Sequence, residues 1–187
     1  MVENDLSSNG FAIPWGHKRS YSNRARSAAY GANGASWFVR QMAYLIFRTV
    51  EEQPRIIVQF EAGSALRFKS DGSGGWTAAF ASQDKLVHKP EFAEYVLVRK
   101  DGTRWVFFDN SVGVPGVLRG QLKSMVDSFG HVTSGDYDPF GRLVLMKFQS
   151  ENGSESSSYE YRYIEEGPNL GLLLTALLRV NGRPVRE

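Results

Sequence analysis

Few residues in this sequence are of the types that do chemistry, and their spacing fits none of the common catalytic patterns. The chain contains three histidines, His17, His88 and His131, and no cysteine. A thiolate nucleophile, a zinc–thiolate centre and a disulfide are therefore excluded. No histidine stands at a familiar spacing from a serine or a carboxylate, and nucleophile-elbow, dinucleotide-binding and P-loop signatures are missing. We therefore expect no enzyme, no cofactor and no metal.

Two aspartates, Asp136 and Asp138, flank Tyr137 and come nearest to a paired-carboxylate site. At alternate positions of a strand their side chains would point to the same side, where they could share a proton or a metal ion. However, residues 139–141 are Pro-Phe-Gly, which is typical of a turn. Aspartate caps such turns by accepting backbone N–H groups, so we favour the turn.

A basic and aromatic stretch at residues 17–26 is the one candidate for binding a polyanion. Cationic side chains neutralise phosphates, and tyrosines stack on bases. The chain as a whole carries only a net charge of +2, and no nucleic-acid-binding motif accompanies the stretch. The sequence therefore argues against nucleic acid as a partner.

Aromatic side chains on strands suggest another kind of binding surface. Tyr159, Tyr161 and Tyr163 alternate along one segment, and Trp105 lies in another. On an exposed face these rings could stack on sugars, which makes the four residues candidate glycan contacts. On a buried face the same spacing is ordinary cross-strand packing. A carbohydrate-binding β module is thus an alternative function.

The elements that must position these side chains are strands. The 187 residues are 42% hydrophobic and 13% aromatic and include 19 glycines, which suits a β-rich chain punctuated by turns. Short β-branched and aromatic runs at 56–60, 66–69 and 76–80 are separated by glycine turns. Residues 37–50 fit a helical stripe as well as a strand. We predict an all-β fold, an antiparallel sheet of repeated hairpins with room for one short helix.

The clearest hairpin signal is Asp101-Gly102 between two apolar runs. A two-residue turn at this dipeptide would pair Val98 with Trp105. It would also leave apolar side chains on both faces of the hairpin. A sheet that is apolar on both faces must be covered on both, so we expect the hairpin to belong to something larger.

A pattern recurs in the second half of the chain. Gly-x-Leu begins at residue 120 and again at residue 141, 21 positions later, with a looser third copy at residue 171. An Asp-x-Phe-Gly turn occurs at 127–130 and at 138–141. One hairpin of this size is not stable alone, so neighbouring hairpins must stack. The residues of the pattern are Gly120, Leu122, Asp127, Gly130, Tyr137, Asp138, Gly141, Arg142 and Leu143.

Residues 137–143, Tyr-Asp-Pro-Phe-Gly-Arg-Leu, resemble the Tyr-Asp-x-x-Gly-Arg-Leu signature of the Rhs (YD-repeat) family. Residues 120–130 resemble the variant unit that starts such an array, and residues 14–23 resemble the region before it. The resemblance implies a non-catalytic structural segment at the start of a shell that large bacterial proteins build around a toxic C-terminal domain. It divides the chain into an N-terminal β-rich region, 1–110, and hairpin repeats, 111–187.

The chain departs from that family in having about three repeat units where a shell needs many. We therefore expect a fragment or a subunit, whose partners are other β-repeat segments or further copies of itself. The resemblance implies a secreted or cell-surface protein, although the acidic, polar first residues are not those of a signal peptide. No apolar run is long enough for a membrane span. Asp138-Pro139 resembles a self-cleavage site of the family, but inside a repeat we expect a structural turn.

Overall fold

The chain folds almost wholly into antiparallel β-structure. A computed structural model describes residues 2–7, 16–21, 37–39, 42–150 and 156–186. All strand pairs in these residues are antiparallel, and the helical turns in them are the 3₁₀ segments Pro90–Phe92 and Gly116–Leu118. Among the same residues, no helix is long and apolar enough to cross a lipid bilayer. The predicted all-β class is confirmed.

The described strands form three sheets in which neighbours along the chain are also neighbours in space. The three-stranded sheet contains β1 (Val2–Ser7), β2 (Gly16–Tyr21) and β3 (Trp37–Val39). The four-stranded sheet contains β4 (Tyr44–Val50), β5 (Gln53–Glu61), β6 (Ser64–Ser70) and β7 (Trp76–Ala78). The nine-stranded sheet contains β8 (Lys85–Lys89), β9 (Glu94–Val98), β10 (Arg104–Phe108), β11 (Leu122–Val126), β12 (Val132–Tyr137), β13 (Leu143–Gln149), β14 (Ser156–Tyr163), β15 (Leu173–Val180) and β16 (Arg183–Arg186).

The hydrophobic core lies between the four-stranded sheet and one face of the nine-stranded sheet. Phe60 of β5 packs edge-on against Trp105 of β10, with ring centroids 5.4 Å apart. At the start of the nine-stranded sheet, Phe47 of β4 lies 5.8 Å from Tyr95 of β9. Residues that pair directly across neighbouring strands point to the same face of the sheet, and one such row crosses the core face. The row runs Leu86, Leu97, Trp105, Met125, Thr133 and Phe148.

The Asp101-Gly102 hairpin forms, but the predicted register is wrong. Gly102 has a φ of 84° and donates its N–H to the carbonyl of Arg99 at 3.0 Å, while Arg99 N–H bonds to Thr103 O at 2.8 Å. This is a turn followed by a left-handed glycine, which adds a residue relative to a two-residue loop. Trp105 therefore pairs with Leu97 instead of Val98.

The nine-stranded sheet continues across residue 110, where the sequence suggested a boundary between 1–110 and 111–187. Strand β10 ends before this position and β11 begins after it, yet the two pair directly, from Arg104 with Val126 to Phe107 with Leu122. The division into two regions therefore stays a prediction about the sequence, and no break in the sheet accompanies it.

Candidate functional site: the aspartate turns and the tyrosine links between hairpins

Two turns of the nine-stranded sheet have the same hydrogen bonds, one at Asp127 and one at Asp138. In each turn the aspartate Oδ1 accepts the backbone N–H groups two and four residues later, at 2.9 and 2.8 Å for Asp127 and at 2.9 and 2.9 Å for Asp138. The glycine before the last residue is left-handed, with a φ of 96° at Gly130 and 77° at Gly141. Asp138 therefore caps a turn, as its sequence neighbours predicted.

The second carboxylate oxygen of each aspartate binds the side chain that follows the glycine. Arg142 Nε donates to Asp138 Oδ2 at 2.6 Å, and His131 Nδ1 lies 2.8 Å from Asp127 Oδ2. Burial by itself would raise the pKa of each aspartate. Hydrogen bonds from Arg142 and Phe140 outweigh burial at Asp138, and those from His131 and Phe129 outweigh it at Asp127, so both pKa values are lowered. Both carboxylates are thus held as anions by their turns.

We count β10–β11, β12–β13 and β14–β15 as successive hairpins, and tyrosine hydroxyls connect the second and the third each to the one before it. Tyr137 at the end of β12 donates to the carbonyl of Leu122 in β11 at 2.6 Å, and Tyr163 at the end of β14 donates to the carbonyl of Leu143 in β13 at 2.6 Å. Burial raises the pKa of both tyrosines well above the ordinary value. The hydroxyls therefore remain protonated donors at neutral pH.

Three loops at one end of the nine-stranded sheet, β10–β11, β12–β13 and β14–β15, share a further feature. In the strand after each loop, the first leucine pairs with an aromatic residue of the strand before the loop, next to a shift in register. A left-handed glycine lies two positions before that leucine. The pairs are Phe107 with Leu122, Tyr137 with Leu143 and Tyr163 with Leu173. The glycines are Gly120, Gly141 and Gly171, with φ of 79°, 77° and 83°.

The tyrosines considered as glycan contacts are buried. Tyr159, Tyr161 and Tyr163 are only 2%, 3% and 8% exposed, and Trp105 is half-buried against Phe60. Of the two alternatives that the sequence left open, the tyrosines follow cross-strand packing, because their alternation places all three on the core face of β14. No broad ring face is left on them for a sugar to stack on.

A second histidine–carboxylate pair fixes the loop after β10. His88 Nε2 lies 3.1 Å from Asp109 Oδ2, and the His88 ring stacks on Tyr95 at 4.3 Å. Asp109 is 2% exposed. Burial would raise its pKa, but hydrogen bonds from Ser111 and His88 outweigh this and lower it. Burial and the charge of Asp109 raise the pKa of Tyr95 to about 12.

The sequence did not single out either histidine–carboxylate pair. His131 stands four positions after Asp127, so that pair had a local signal, whereas His88 and Asp109 are brought together only by strand pairing. Both pairs serve the turns and loops around them. In the part of the chain that the structure describes, no group of three or more metal-ligating side chains converges.

The other candidates drawn from the sequence are not brought together. Asp136 lies on β12, half exposed, with Lys147 Nζ 3.5 Å from its carboxylate, while Asp138 belongs to the turn. The two aspartates therefore do not form a shared site. His17 lies on β2, with its ring 5.8 Å from that of Tyr161. Residues 22–26 of the basic stretch fall outside the described residues.

The fold defines a class, an antiparallel all-β protein built of consecutive hairpins. No protein-family model matches the chain, and no curated protein matches it in sequence.

Proposed function

We propose that this chain is a non-catalytic structural segment of a larger β-hairpin assembly, comparable to the start of an Rhs-type shell, where it acts as scaffold or wall. The observation that carries the proposal is the pair of hydroxyl–carbonyl bonds from Tyr137 to Leu122 and from Tyr163 to Leu143. These bonds attach two successive hairpins to their predecessors through the same atoms. A connection that repeats in this way can continue along a sheet, because each unit contacts only its neighbours.

The edge of β15 offers a place for the next segment. Strand β16 pairs with β15 only at residues 178–180. Among the described residues, no strand pairs with residues 173–177 on that side of β15. An unpaired strand edge presents N–H and C=O groups to which another strand can add. This edge would accept a further β-segment of the assembly.

The carbonyl of Leu173 would be the attachment point of that segment. Leu173 holds the position that Leu122 and Leu143 hold in the preceding hairpins, two residues after a left-handed glycine. No tyrosine hydroxyl within the described residues donates to its carbonyl. An added strand that carries a tyrosine at the position of Tyr163 would complete the series.

A peptide covering residues 132–149 tests the proposal, since it contains Tyr137 and forms a hairpin in the intact protein. We expect the labelled peptide to bind the purified chain saturably in a fluorescence-anisotropy titration. The matched peptide with Tyr137→Phe should bind about fivefold more weakly, as expected for one lost hydrogen bond. A scrambled peptide of the same composition that binds equally well, or no binding of the native peptide, would overturn the proposal.

A further inference from the structure

Large apolar side chains are exposed on four loops at one end of the nine-stranded sheet. Because consecutive strands are antiparallel, the connections β8–β9, β10–β11, β12–β13 and β14–β15 all lie at the same end. Each of these loops, or the first residues of the strand after it, exposes at least one such side chain by 47–95%. The residues are Phe92, Val112, Val117, Phe140, Leu170 and Leu174, which together we call the apolar edge.

The four loops touch one another in succession, so the residues of the apolar edge lie along one end of the sheet. The N–H of Asp109 donates to the carbonyl of Ala93 at 2.9 Å, which joins the first loop to the second. A Cβ added to Gly141 would lie 2.5 Å from the carbonyl oxygen of Val117, which places the third loop against the second. Phe140 and Leu174 line one groove, which connects the third loop with the fourth.

The exposed side chains are held in position by bonds within their loops. In the longest of these loops Val114 is buried, and Arg119 Nε donates to its carbonyl at 3.1 Å. Phe140 lies in the turn that Asp138 caps. A partner that covers this edge therefore gains apolar burial without first having to order these loops. Several large apolar side chains exposed along one end of a sheet are typical of an interaction surface.

The charges around the apolar edge suit a second copy of the same edge. Lys89 and Glu91 are exposed at its β8 end, and Glu165, Glu166 and Arg162 are exposed at its β14–β15 end. If two copies meet antiparallel, the β8 end of one copy meets the β14–β15 end of the other, which brings together charges of opposite sign at both ends of the contact. Each end carries both signs, which gives no general attraction to an anionic membrane.

We propose that the apolar edge is the interface of a homodimer, in which a second copy docks its own apolar edge about a two-fold axis. Such an interface is isologous, so a patch need only be complementary to itself, as the charge pattern here is. The apolar edge shares only Leu174 with the unpaired strand edge of β15, and the variants that test the dimer lie in other loops. Dimer formation and strand addition are therefore tested separately.

Sedimentation equilibrium of the full chain over a wide concentration range tests the dimer. We expect a monomer–dimer equilibrium whose Kd rises at least about tenfold in Phe140→Asp. The substitution places a charge where the dimer would bury an aromatic side chain. Val112→Asp, which changes a side chain that is 95% exposed, should weaken the dimer as well. Phe129→Asp is the matched control. Phe129 is 84% exposed in the equivalent turn at the opposite end of the sheet, so its variant should keep the wild-type Kd.

Charge reversal tests the orientation of the two copies. Lys89→Glu should weaken the dimer, and combining it with Glu165→Lys and Glu166→Lys should restore it. Thermal unfolding curves that match the wild type at concentrations well below the wild-type Kd, where the chain is monomeric, serve as the folding control for every variant. The proposal is overturned by a chain that stays monomeric at all concentrations, by a dimer that Phe129→Asp weakens as much as Phe140→Asp, or by a monomer that binds phosphatidylcholine vesicles through Phe140.

Discussion

The hydroxyl of Tyr163 donates a hydrogen bond of 2.6 Å to the carbonyl of Leu143, beyond the point where the ladder between their two strands ends. The last pair of that ladder at this end is Leu145 with Glu160. The same relation joins Tyr137 to Leu122, past a ladder whose last pair is Ser124 with Ser134. In both places a side-chain hydroxyl bonds a backbone carbonyl that the ladder leaves without a partner, which satisfies a polar group close to the core.

Replacing the Tyr163 hydroxyl should therefore destabilise the protein. We expect Tyr163→Phe to lower the free energy of unfolding by about 1–3 kcal/mol, because the carbonyl of Leu143 is left unsatisfied in a buried position. Urea denaturation followed by fluorescence measures the change. Tyr44→Phe is the control, since the Tyr44 hydroxyl has no hydrogen bond to any described residue. Equal losses in the two variants would contradict the role assigned to Tyr163.

The two aspartate turns permit a matched comparison of glycines. Gly141 and Gly130 both have positive φ, so alanine is strained at either position. At Gly141 the added Cβ would also lie 2.5 Å from Val117 O, whereas nothing lies within 4 Å at Gly130. We expect Gly130→Ala to cost about 1 kcal/mol and Gly141→Ala clearly more. Thermal unfolding measures the loss of stability in each variant. Equal losses, or a larger loss in Gly130→Ala, would contradict the contact between the Gly141 turn and Val117.

The aspartate turns could be predicted because their chemistry is local. Asp-x-Phe-Gly contains the acceptor, the left-handed residue and the spacing between them, so Asp127 and Asp138 were identified from the pattern alone. The register of the Asp101-Gly102 hairpin could not be. In the structure Arg99 lies over the ring of Phe60 at 5.1 Å, and its Nε contacts Asp84 at 3.3 Å. Phe60 and Asp84 lie outside the hairpin, so the Asp101-Gly102 dipeptide by itself does not indicate these contacts.

The sequence did not decide whether the tyrosines of β14 are buried or exposed, for a related reason. Alternation places Tyr159, Tyr161 and Tyr163 on one face of β14, but it does not say which face meets the core. That choice follows from what covers the strand, including His17 of β2 near Tyr161. The pairing of His88 with Asp109 likewise depends on the registers of three strands.

Acid should weaken the fold through the aspartate turns. The folded-state pKa of Asp138 lies below its unfolded value, so its contribution is complete above the unfolded pKa and is lost as the pH falls through the folded one. We expect stability to decline below about pH 4 and Asp138→Asn to reduce that slope, while costing about 1–2 kcal/mol at neutral pH. Urea unfolding at a series of pH values measures both. Asp136→Asn, which removes a half-exposed carboxylate that caps no turn, is the control and should cost less than Asp138→Asn at neutral pH.

Alkali should weaken the fold through the buried tyrosines. Burial and the charge of Asp109 together raise the pKa of Tyr95 to about 12, so the folded protein keeps a proton that the unfolded chain loses near pH 10. Its contribution is therefore complete below pH 10 and is lost as the pH rises towards 12. Stability measured by urea unfolding should fall over this interval, and Tyr95→Phe should make the fall shallower. The ultraviolet absorbance of tyrosinate, compared between the wild type and Tyr95→Phe, should show Tyr95 ionising late. A pH profile that Tyr95→Phe leaves unchanged would mean that the ring stacked on His88 is not the group that resists ionisation.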